Sequence, residues 1–444
     1  MDGVILRDVL PMFTPKIHSQ SYPPDASKLN GEVSQKATKY RFVIVGLTAF
    51  LAWSLGLGWY ITGPITPLFI AHYGISNSTA GLLTSVVFLV HIVFAIPLSM
   101  LVSRVGLKML LVLGALAASA QLLSFMATTS FPLLLGLRAI HGMGFIFLFT
   151  ALGPLFMQWF RPKELPLATG VFVIAVSLGI TTSTFLVAPL SEVIGWEIVL
   201  SLSGGMSLVS AVIWIIFGKA HRMSPNVDLD SGIGNTLAGI RSRNTWLLAI
   251  GDAGPFTLLS VSLAWLPTFY NEVYGMSLTK GGALMGLMSS AGVVALILAT
   301  LLAGRTHKRR PFLIIPGIVA GFAGLAAFLL ADSPGIHIAV VALGFACWFF
   351  FPVLATIPME LYPNNPLRVS LIFATILTAE GIFGFIAPPT VGAIADMTGS
   401  LVPGLAIFSV LAWSLVAAGI FLPETGPTFT SGKGAPSLHE RSEI

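Results

Sequence analysis

The sequence predicts an all-α membrane protein with twelve transmembrane helices, arranged as two parallel six-helix repeats. Three observations carry this prediction: an extreme apolar composition, a series of apolar stretches of membrane-spanning length, and an internal repeat. Of the 444 residues, 55% are hydrophobic and 9% are charged, and the mean hydropathy is +0.90. Soluble domains carry about 25% charged residues. A chain with so few charges cannot cover a soluble surface.

Twelve apolar stretches are long enough to be membrane helices, which need about 20 mostly apolar residues each. Numbered 1 to 12 in chain order, they lie at about 42–70, 80–102, 106–127, 131–157, 165–190, 198–217, 245–270, 280–303, 311–331, 335–357, 368–392 and 401–422. The predicted organisation is a disordered tail at 1–40, a six-helix bundle at 41–217, a polar linker at 218–244, a second six-helix bundle at 245–422 and a polar tail at 423–444.

The basic residues predict the orientation, because Lys and Arg concentrate on the cytoplasmic side of membrane proteins. With twelve spans both tails lie on one side, and 21 of the 23 basic residues fall on that side. The two exceptions are Arg138, inside helix 4, and Lys280, at the end of helix 8. Since no signal or transit pattern is visible, we expect a multi-pass plasma-membrane protein with both termini in the cytoplasm. Basic residues used as topological anchors argue against nucleic-acid binding.

Landmark residues recur at an offset of about 200 positions. Pro67 corresponds to Pro267, Arg104 to Arg305, and Pro189 to Pro389. Each half holds six spans, so both halves enter the membrane in the same orientation. Parallel repeats related by an axis along the membrane normal suit alternating access, in which two bundles rock about a central site.

Three short motifs carry a family resemblance. The loop after helix 2 reads Ser103-Arg104-Val105-Gly106-Leu107-Lys108, helix 4 carries Arg138-Ala139-Ile140-His141-Gly142-Met143-Gly144, and helix 12 ends in Pro423-Glu424-Thr425-Gly426. Together with the six-plus-six topology, these motifs resemble the major facilitator superfamily over about residues 42–425. The resemblance implies a secondary transporter that works as a monomer, with helices 1, 4, 7 and 10 lining a central cavity.

The chain departs from the family pattern in two places. Ser103 stands where the loop after helix 2 usually has an Asp, which puts the usual inward-facing salt-bridge latch in doubt. On helix 5, Ser183-Thr184 replace the Gly-Pro of drug–proton antiporters, which argues against multidrug efflux. The loop at 75–85 looks similar to that of the cyanate/nitrate-type and organic-anion branches. The residues expected to stabilise one gated state are Arg104, Gly106, Lys108, Arg305, Glu360 and Arg368.

Arg138 and His141 are the predicted substrate contacts in helix 4. Ionisable groups inside a bilayer cost at least about 2.5–3.5 kcal/mol each, so they usually face a cavity or a partner. Arg138 lies roughly 10 Å into the helix, and its guanidinium offers a bidentate fork to an anion. Its alternative role is structural, bonding carbonyls or a carboxylate between helices 1 and 4. His141 could also relay protons or serve as a hydrogen-bonded packing residue.

Two acidic residues are the predicted proton-coupling groups: Glu380, near the midplane of helix 11, and Asp252, about seven residues into helix 7. A carboxyl group in a low-dielectric setting can bind and release a proton near neutral pH. The alternative for Asp252 is pairing with Arg241 or Arg243 at the helix end. The alternative for Glu380 is an interhelical hydrogen bond in its protonated form.

Aromatic residues complete the predicted site. Trp59, Trp265 and Trp348 lie on cavity helices and could form substrate walls, although lipid-facing or interfacial packing also explains them. The predicted function is secondary transport of a small, anionic solute, proton-coupled or by exchange, with membrane lipid and protons as further partners. Two alternatives remain: an exporter of amphiphilic compounds, and a non-transporting sensor or assembly protein. Without a Walker lysine loop or metal-ligand spacing, the sequence predicts no enzyme activity, cofactor or metal.

Overall fold

The computed structural model describes residues 39–160, 164–220, 242–303, 306, 308–362 and 366–425. The described residues form helices and no strand. Twelve of these helices are long and apolar enough to cross a membrane, which confirms the predicted number. They are α1 Tyr40–Tyr73, α2 Asn77–Val105, α3 Leu107–Ala127, α4 Phe131–Trp159, α5 Leu165–Ile194, α6 Trp196–Phe217, α7 Arg243–Tyr274, α8 Leu278–Ala303, α9 Pro311–Leu329, α10 Gly335–Leu361, α11 Pro366–Thr398 and α12 Val402–Phe421. The predicted tails and linker fall almost wholly outside the described residues.

Two spans that the sequence predicted as continuous helices are interrupted at prolines. In α1 the first helix ends at Trp59, a 3₁₀ turn follows at Gly63–Ile65, and a second helix runs over Thr66–Tyr73. In α10 a break at Phe350 separates Gly335–Phe349 from Phe351–Leu361. Proline has no backbone N–H and crowds the preceding turn, so a helix that reaches it must end or kink. The break in α1 leaves the last carbonyls before it without helical donors.

Loops that follow odd-numbered helices meet on one face, which we call the odd-loop face. The Tyr73 hydroxyl at the end of α1 donates to the carbonyl of Ala127 at 2.8 Å. The Trp196 ring at the start of α6 packs 4.9 Å from the ring of Phe69. The opposite, even-loop face carries the Lys108 ammonium, which donates to the carbonyl of Ile215 at 2.9 Å. The distribution of basic residues predicts that the even-loop face is cytoplasmic.

The first six helices and the last six contact each other through glycines near the odd-loop face. Gly81 of α2 lies against the backbone of Pro388 in α11, leaving no room for a Cβ. Gly282 of α8 lies in the same way against the carbonyl of Thr184 in α5. Small residues of this kind let membrane helices approach to backbone contact. The two halves are therefore closed against each other at these points.

Candidate functional site

Arg138 fastens α4 to the broken end of the first helix of α1. Its side chain is fully buried. The guanidinium donates through Nη2 to the carbonyl of Trp59 at 2.7 Å, through Nη1 to the carbonyl of Gly58, and through Nε to the carbonyl of Leu83 at 2.9 Å. Gly58 and Trp59 are the last residues before the break, so Arg138 supplies donors that the helix itself lacks. This geometry matches the structural alternative, and the predicted contact of Arg138 with a substrate anion stays a prediction.

His141 lies one turn further along α4 and is also buried. Its Nδ1 is 3.3 Å from the carbonyl of Ala118 in α3, and its Nε2 has no hydrogen-bond partner among the described residues. A Cβ at Gly58 would collide with the His141 ring and with the Gln121 amide. The glycine therefore allows this histidine to sit between α1 and α3. Its predicted substrate contact remains a prediction.

Asp252 and Glu380 come together, although 127 residues separate them in the chain. The two carboxyl groups interact with each other between α7 and α11, and Oδ2 of Asp252 has no hydrogen-bond partner among the described residues. Asp252 is 1% exposed, whereas Glu380 keeps part of its surface accessible. An ionised carboxylate only accepts hydrogen bonds, so two carboxyl groups bond to each other only when one is protonated. The arrangement provides a place for one proton.

Aromatic rings from both halves surround the end of the first helix of α1. The centroid of the Trp59 ring lies 4.1 Å from that of the Phe145 ring of α4 and 5.9 Å from that of the Phe88 ring of α2. Phe88 in turn meets Phe256 of α7 at 5.6 Å. The indole N–H of Trp59 finds no acceptor among the described residues. This aromatic cluster supplies an apolar wall with one spare hydrogen-bond donor.

The other two tryptophans of the predicted site have different surroundings. Trp265 is fully buried, and its indole N–H donates to the carbonyl of Pro388 at 2.9 Å, which joins α7 to α11. Trp348 lines a small cavity between the halves together with residues of α5, α7 and α8. About 10 Å³ of that cavity is available to the centre of a water molecule, which is room for about one water.

Several residues predicted for gating make contacts in the described part of the chain, and their role in gating stays a prediction. The Glu360 carboxylate pairs with Arg309, whose Nη2 and Nε donate at 2.6 and 3.1 Å, and the Thr425 hydroxyl donates to it at 2.6 Å. The Arg368 guanidinium lies 3.9 Å from the Tyr362 ring centroid. Gly106 adopts a positive φ of 84° before α3, a conformation that favours glycine. Arg305 and the side chain of Arg104 lie outside the described residues.

A carboxylate on each half contacts the start of a helix of the other half at the odd-loop face. The Asp396 carboxylate at the end of α11 accepts from the backbone N–H groups of Asn77 and Ser78, each at 2.9 Å. These groups are free N–H donors at the start of α2, where an anion also complements the helix dipole. The Thr279 hydroxyl at the start of α8 donates to Glu192 at the end of α5 at 2.9 Å. We call the two contacts the odd-loop latches.

Removing the Asp396 latch, which accepts from two backbone N–H groups, should open the odd-loop face more often. Loss of an N-terminal cap costs about 1 kcal/mol, equivalent to about fivefold in population. The reporter protein carries Ser289→Cys, which places a thiol in the small cavity between the halves, and Cys347→Ala, which removes the one native cysteine. We expect Asp396→Ala to raise the alkylation rate of this thiol about fivefold. The measurement uses a membrane-impermeant maleimide added on the odd-loop side. Asp332→Ala, an exposed acid on the same face, is the control, and an equal rate in both variants would contradict the latch.

Sequence reasoning missed the polar groups that depend on packing between distant helices. From the sequence alone Asp396 is an acid in a predicted loop, and the serines of the small cavity, Ser177 and Ser289, carry no local signal. Serine is common in membrane helices, so its presence carries no signal without a register between α5 and α8. The acidic residues Glu192 and Asp396 do share a signal, because both stand at the ends of repeat-related helices.

Comparisons with known proteins agree with the fold. The family model of the Major Facilitator Superfamily matches residues 48–388. The chain is 22% identical over 373 residues to the D-galactonate transporter of Escherichia coli, covering 77% of this chain and 85% of that one. It is 23% identical over 405 residues to a protein of Agrobacterium vitis provisionally assigned as a tartrate transporter, covering 82% and 89%.

A solved structure shares this fold. It is a bacterial homologue of the human lysosomal transporter Spinster, in an inward-facing and occupied conformation, with a TM-score of 0.67. The match covers 86% of this chain and 94% of that chain at 18% identity, so it bears on the fold alone. The family match spans well over half of the sequence and agrees with the twelve observed helices. This chain belongs to the major facilitator superfamily of membrane transporters.

Proposed function

We propose that the protein is a proton-coupled secondary transporter of a small organic anion, working by alternating access in the plasma membrane with both termini in the cytoplasm. The observation that carries the proposal is the neighbouring pair of intramembrane carboxyl groups, the buried Asp252 and the partly accessible Glu380. Coupling to a proton needs a buried group that exists in two protonation states. The pair meets this requirement within one half of the molecule.

The carboxyl pair favours one proton for each transport cycle. Two ionised carboxylates in contact inside a membrane would place two uncompensated charges together, which is costly. One shared proton would remove one of these charges and allow a hydrogen bond to form between Asp252 and Glu380. A monoanion carried together with one proton adds no net charge. Transport of such a substrate would follow the pH gradient and would not respond to the membrane potential.

Two further observations support an anionic substrate. The relatives named for D-galactonate and tartrate carry the names of organic acids, which are anions at neutral pH. Arg138 is a cation placed deep in α4, and its hydrogen bonds to three backbone carbonyls use three of the five guanidinium N–H donors. An anion could reach the remaining donors only after the halves separate, because Arg138 is fully buried in this conformation.

Proteoliposomes carrying a pH-sensitive dye test the proposal directly. Addition of a panel of small carboxylates, sugars, amino acids and lipophilic cations should give proton entry with a carboxylate. The same signal should persist when valinomycin and potassium clamp the membrane potential at zero. Proton movement in the opposite direction, driven only by lipophilic cations, would contradict the proposal.

The aromatic cluster favours a second candidate, export of amphiphilic compounds. Trp59, Phe88, Phe145 and Phe256 form an apolar surface shared by both halves. Rings of this kind bind hydrophobic and cationic ligands through their faces. Competition of transport by hydrophobic cations, rather than by carboxylates, would select this function. If no compound of the panel were transported, a sensor or assembly protein with the same fold would be favoured instead.

A further inference from the structure

Two serines from opposite halves face each other at the central cavity. Thr184 of α5 lies against Gly282 of α8, which fixes the register of these antiparallel neighbours. Ser177 stands seven residues from Thr184, and Ser289 stands seven residues from Gly282, both in the direction of the even-loop face. Seven residues are close to two helical turns, so both serines return to the contacting sides of their helices. Both indeed line the same small cavity.

Neither serine hydroxyl has a hydrogen-bond partner within the described part of the chain. The side chains are almost fully buried, with Ser177 3% exposed and Ser289 5% exposed. Serine hydroxyls in helices commonly donate to a carbonyl in the preceding turn. On the same helices Ser183 donates to the carbonyl of Ile180 at 3.0 Å and Ser290 to that of Gly286 at 2.8 Å, whereas Ser191 of α5 is unpaired as Ser177 is.

Unpaired buried hydroxyls are unfavourable, because no hydrogen bond replaces the water that they lose on burial. Such groups therefore call for a ligand or an ordered water. The cavity holds about one water in this closed conformation. When the halves separate at the even-loop face, the two hydroxyls become donors and acceptors on opposite walls of a larger cavity.

The remaining lining selects the chemistry of the ligand. Besides the two serines, the cavity is lined by Ile180, Leu259, Leu263 and Trp348. None of these side chains carries a charge, so a carboxylate placed here would be a buried, unpaired ion. A hydroxyl group pairs with a serine hydroxyl without that cost, because each can both donate and accept.

We propose that Ser177 and Ser289 form a hydroxyl-binding clamp, and that the transported anion is a hydroxylated carboxylic acid held there by its hydroxyl groups. This inference rests on the proposed function, because it assigns the substrate class of the same transporter. The clamp determines specificity, and the carboxylate is held elsewhere. Trp348 packs against Gly292 of α8, where no Cβ would fit, and forms the wall beside the clamp.

The series tartrate, malate and succinate tests the clamp, because these dicarboxylates share one carbon chain and carry two, one and no hydroxyl groups. These acids are dianions at neutral pH, so the membrane potential is clamped at zero with valinomycin and potassium. Under this clamp, proton-coupled uptake into proteoliposomes should follow that order. We expect Ser177→Ala and Ser289→Ala each to lower kcat/KM for tartrate at least about tenfold, while uptake of succinate stays within about twofold. A lost pairing with a substrate hydroxyl gives discrimination of this size or greater. The matched controls are Ser183→Ala and Ser290→Ala, which should leave the order unchanged.

Each result has a separate meaning. Uptake of succinate equal to that of tartrate, or serine variants with unchanged selectivity, would overturn the clamp while leaving proton-coupled anion transport intact. A panel in which no carboxylate moves protons would overturn the proposed function and the clamp with it.

A binding measurement complements the transport assay and does not depend on coupling. In Cys347→Ala protein, a reporter cysteine introduced by Ile180→Cys lines the same cavity and is alkylated by a small maleimide, while both serine hydroxyls stay in place. Tartrate should slow this reaction at least about fivefold more than succinate at equal concentration. Equal protection by both acids would overturn the clamp even if transport were too slow to measure.

Discussion

Glu380→Gln should abolish accumulation driven by a pH gradient while leaving exchange of substrate in place. A pH difference of one unit supplies about 1.4 kcal/mol for each coupled proton, enough for about tenfold accumulation. Glutamine resembles a permanently protonated carboxyl group, so it can still bond to Asp252 but cannot release a proton. We therefore expect the accumulation ratio to fall from about ten to about one, measured with labelled substrate in proteoliposomes.

Counterflow distinguishes loss of coupling from loss of transport. In counterflow, labelled substrate enters against unlabelled substrate at equal pH, and no proton needs to be released. Glu380→Gln should retain counterflow within about threefold of the original protein. Glu197→Gln, on the first turn of α6, is the control and should retain both activities. Accumulation that survives in Glu380→Gln would show that the proton binds elsewhere.

Asp252→Asn separates a shared proton from a proton held by Glu380 alone. If the two carboxyl groups share the proton, as their contact between α7 and α11 suggests, this variant should lose accumulation to a similar extent. Full accumulation in Asp252→Asn would assign the proton to Glu380 by itself. If the proton is shared, the double variant should lose no more accumulation than Glu380→Gln alone, because the effects of residues that act as one unit do not add.

The sequence predicted the helices well because burial in lipid leaves a strong local signal. A membrane helix satisfies its own backbone groups, so a long apolar stretch nearly determines its structure. Predicted helix 6, at 198–217, differs from α6 by two residues at its start. Pro64 and Pro67 mark the interruption of α1, and the sequence left open whether they form a break, a hinge or a close-packing point. Membrane helices often tolerate proline when a neighbour bonds the freed carbonyls, so the prolines alone do not decide between a kink and a break.

The candidate site was predicted residue by residue but not as a set of contacts. Asp252 and Glu380 stood out because charges are rare inside membrane helices, and this signal is local. Their contact depends on how α7 and α11 pack, which apolar periodicity does not encode. The same holds for Ser177 and Ser289, whose opposition follows only from the Thr184–Gly282 contact. Local chemistry was thus readable from the sequence, and pairing across helices was not.

Arg138→Gln should destabilise the protein whatever the substrate is. The guanidinium bonds three buried carbonyls, two of them at the broken end of the first helix of α1. Hydrogen bonds to charged groups contribute about 1.5–3 kcal/mol each. Glutamine is shorter and has two N–H donors, so at least one carbonyl loses its partner. We expect a loss of at least about 3 kcal/mol in stability, measured as a lower thermal midpoint and a smaller monodisperse fraction in detergent.

Arg138→Lys and Arg243→Gln make this prediction specific. Lysine keeps the charge but presents it as a single point, without the planar fork that reaches several carbonyls. It should recover only part of the lost stability. Arg243 is exposed at the start of α7, and its replacement should leave the thermal midpoint unchanged. If Arg138→Gln instead kept the thermal midpoint and raised KM for a carboxylate at least about tenfold, the guanidinium would belong to the substrate site. The α1 carbonyls would then need other donors, and water drawn into the broken helix would be the first candidate.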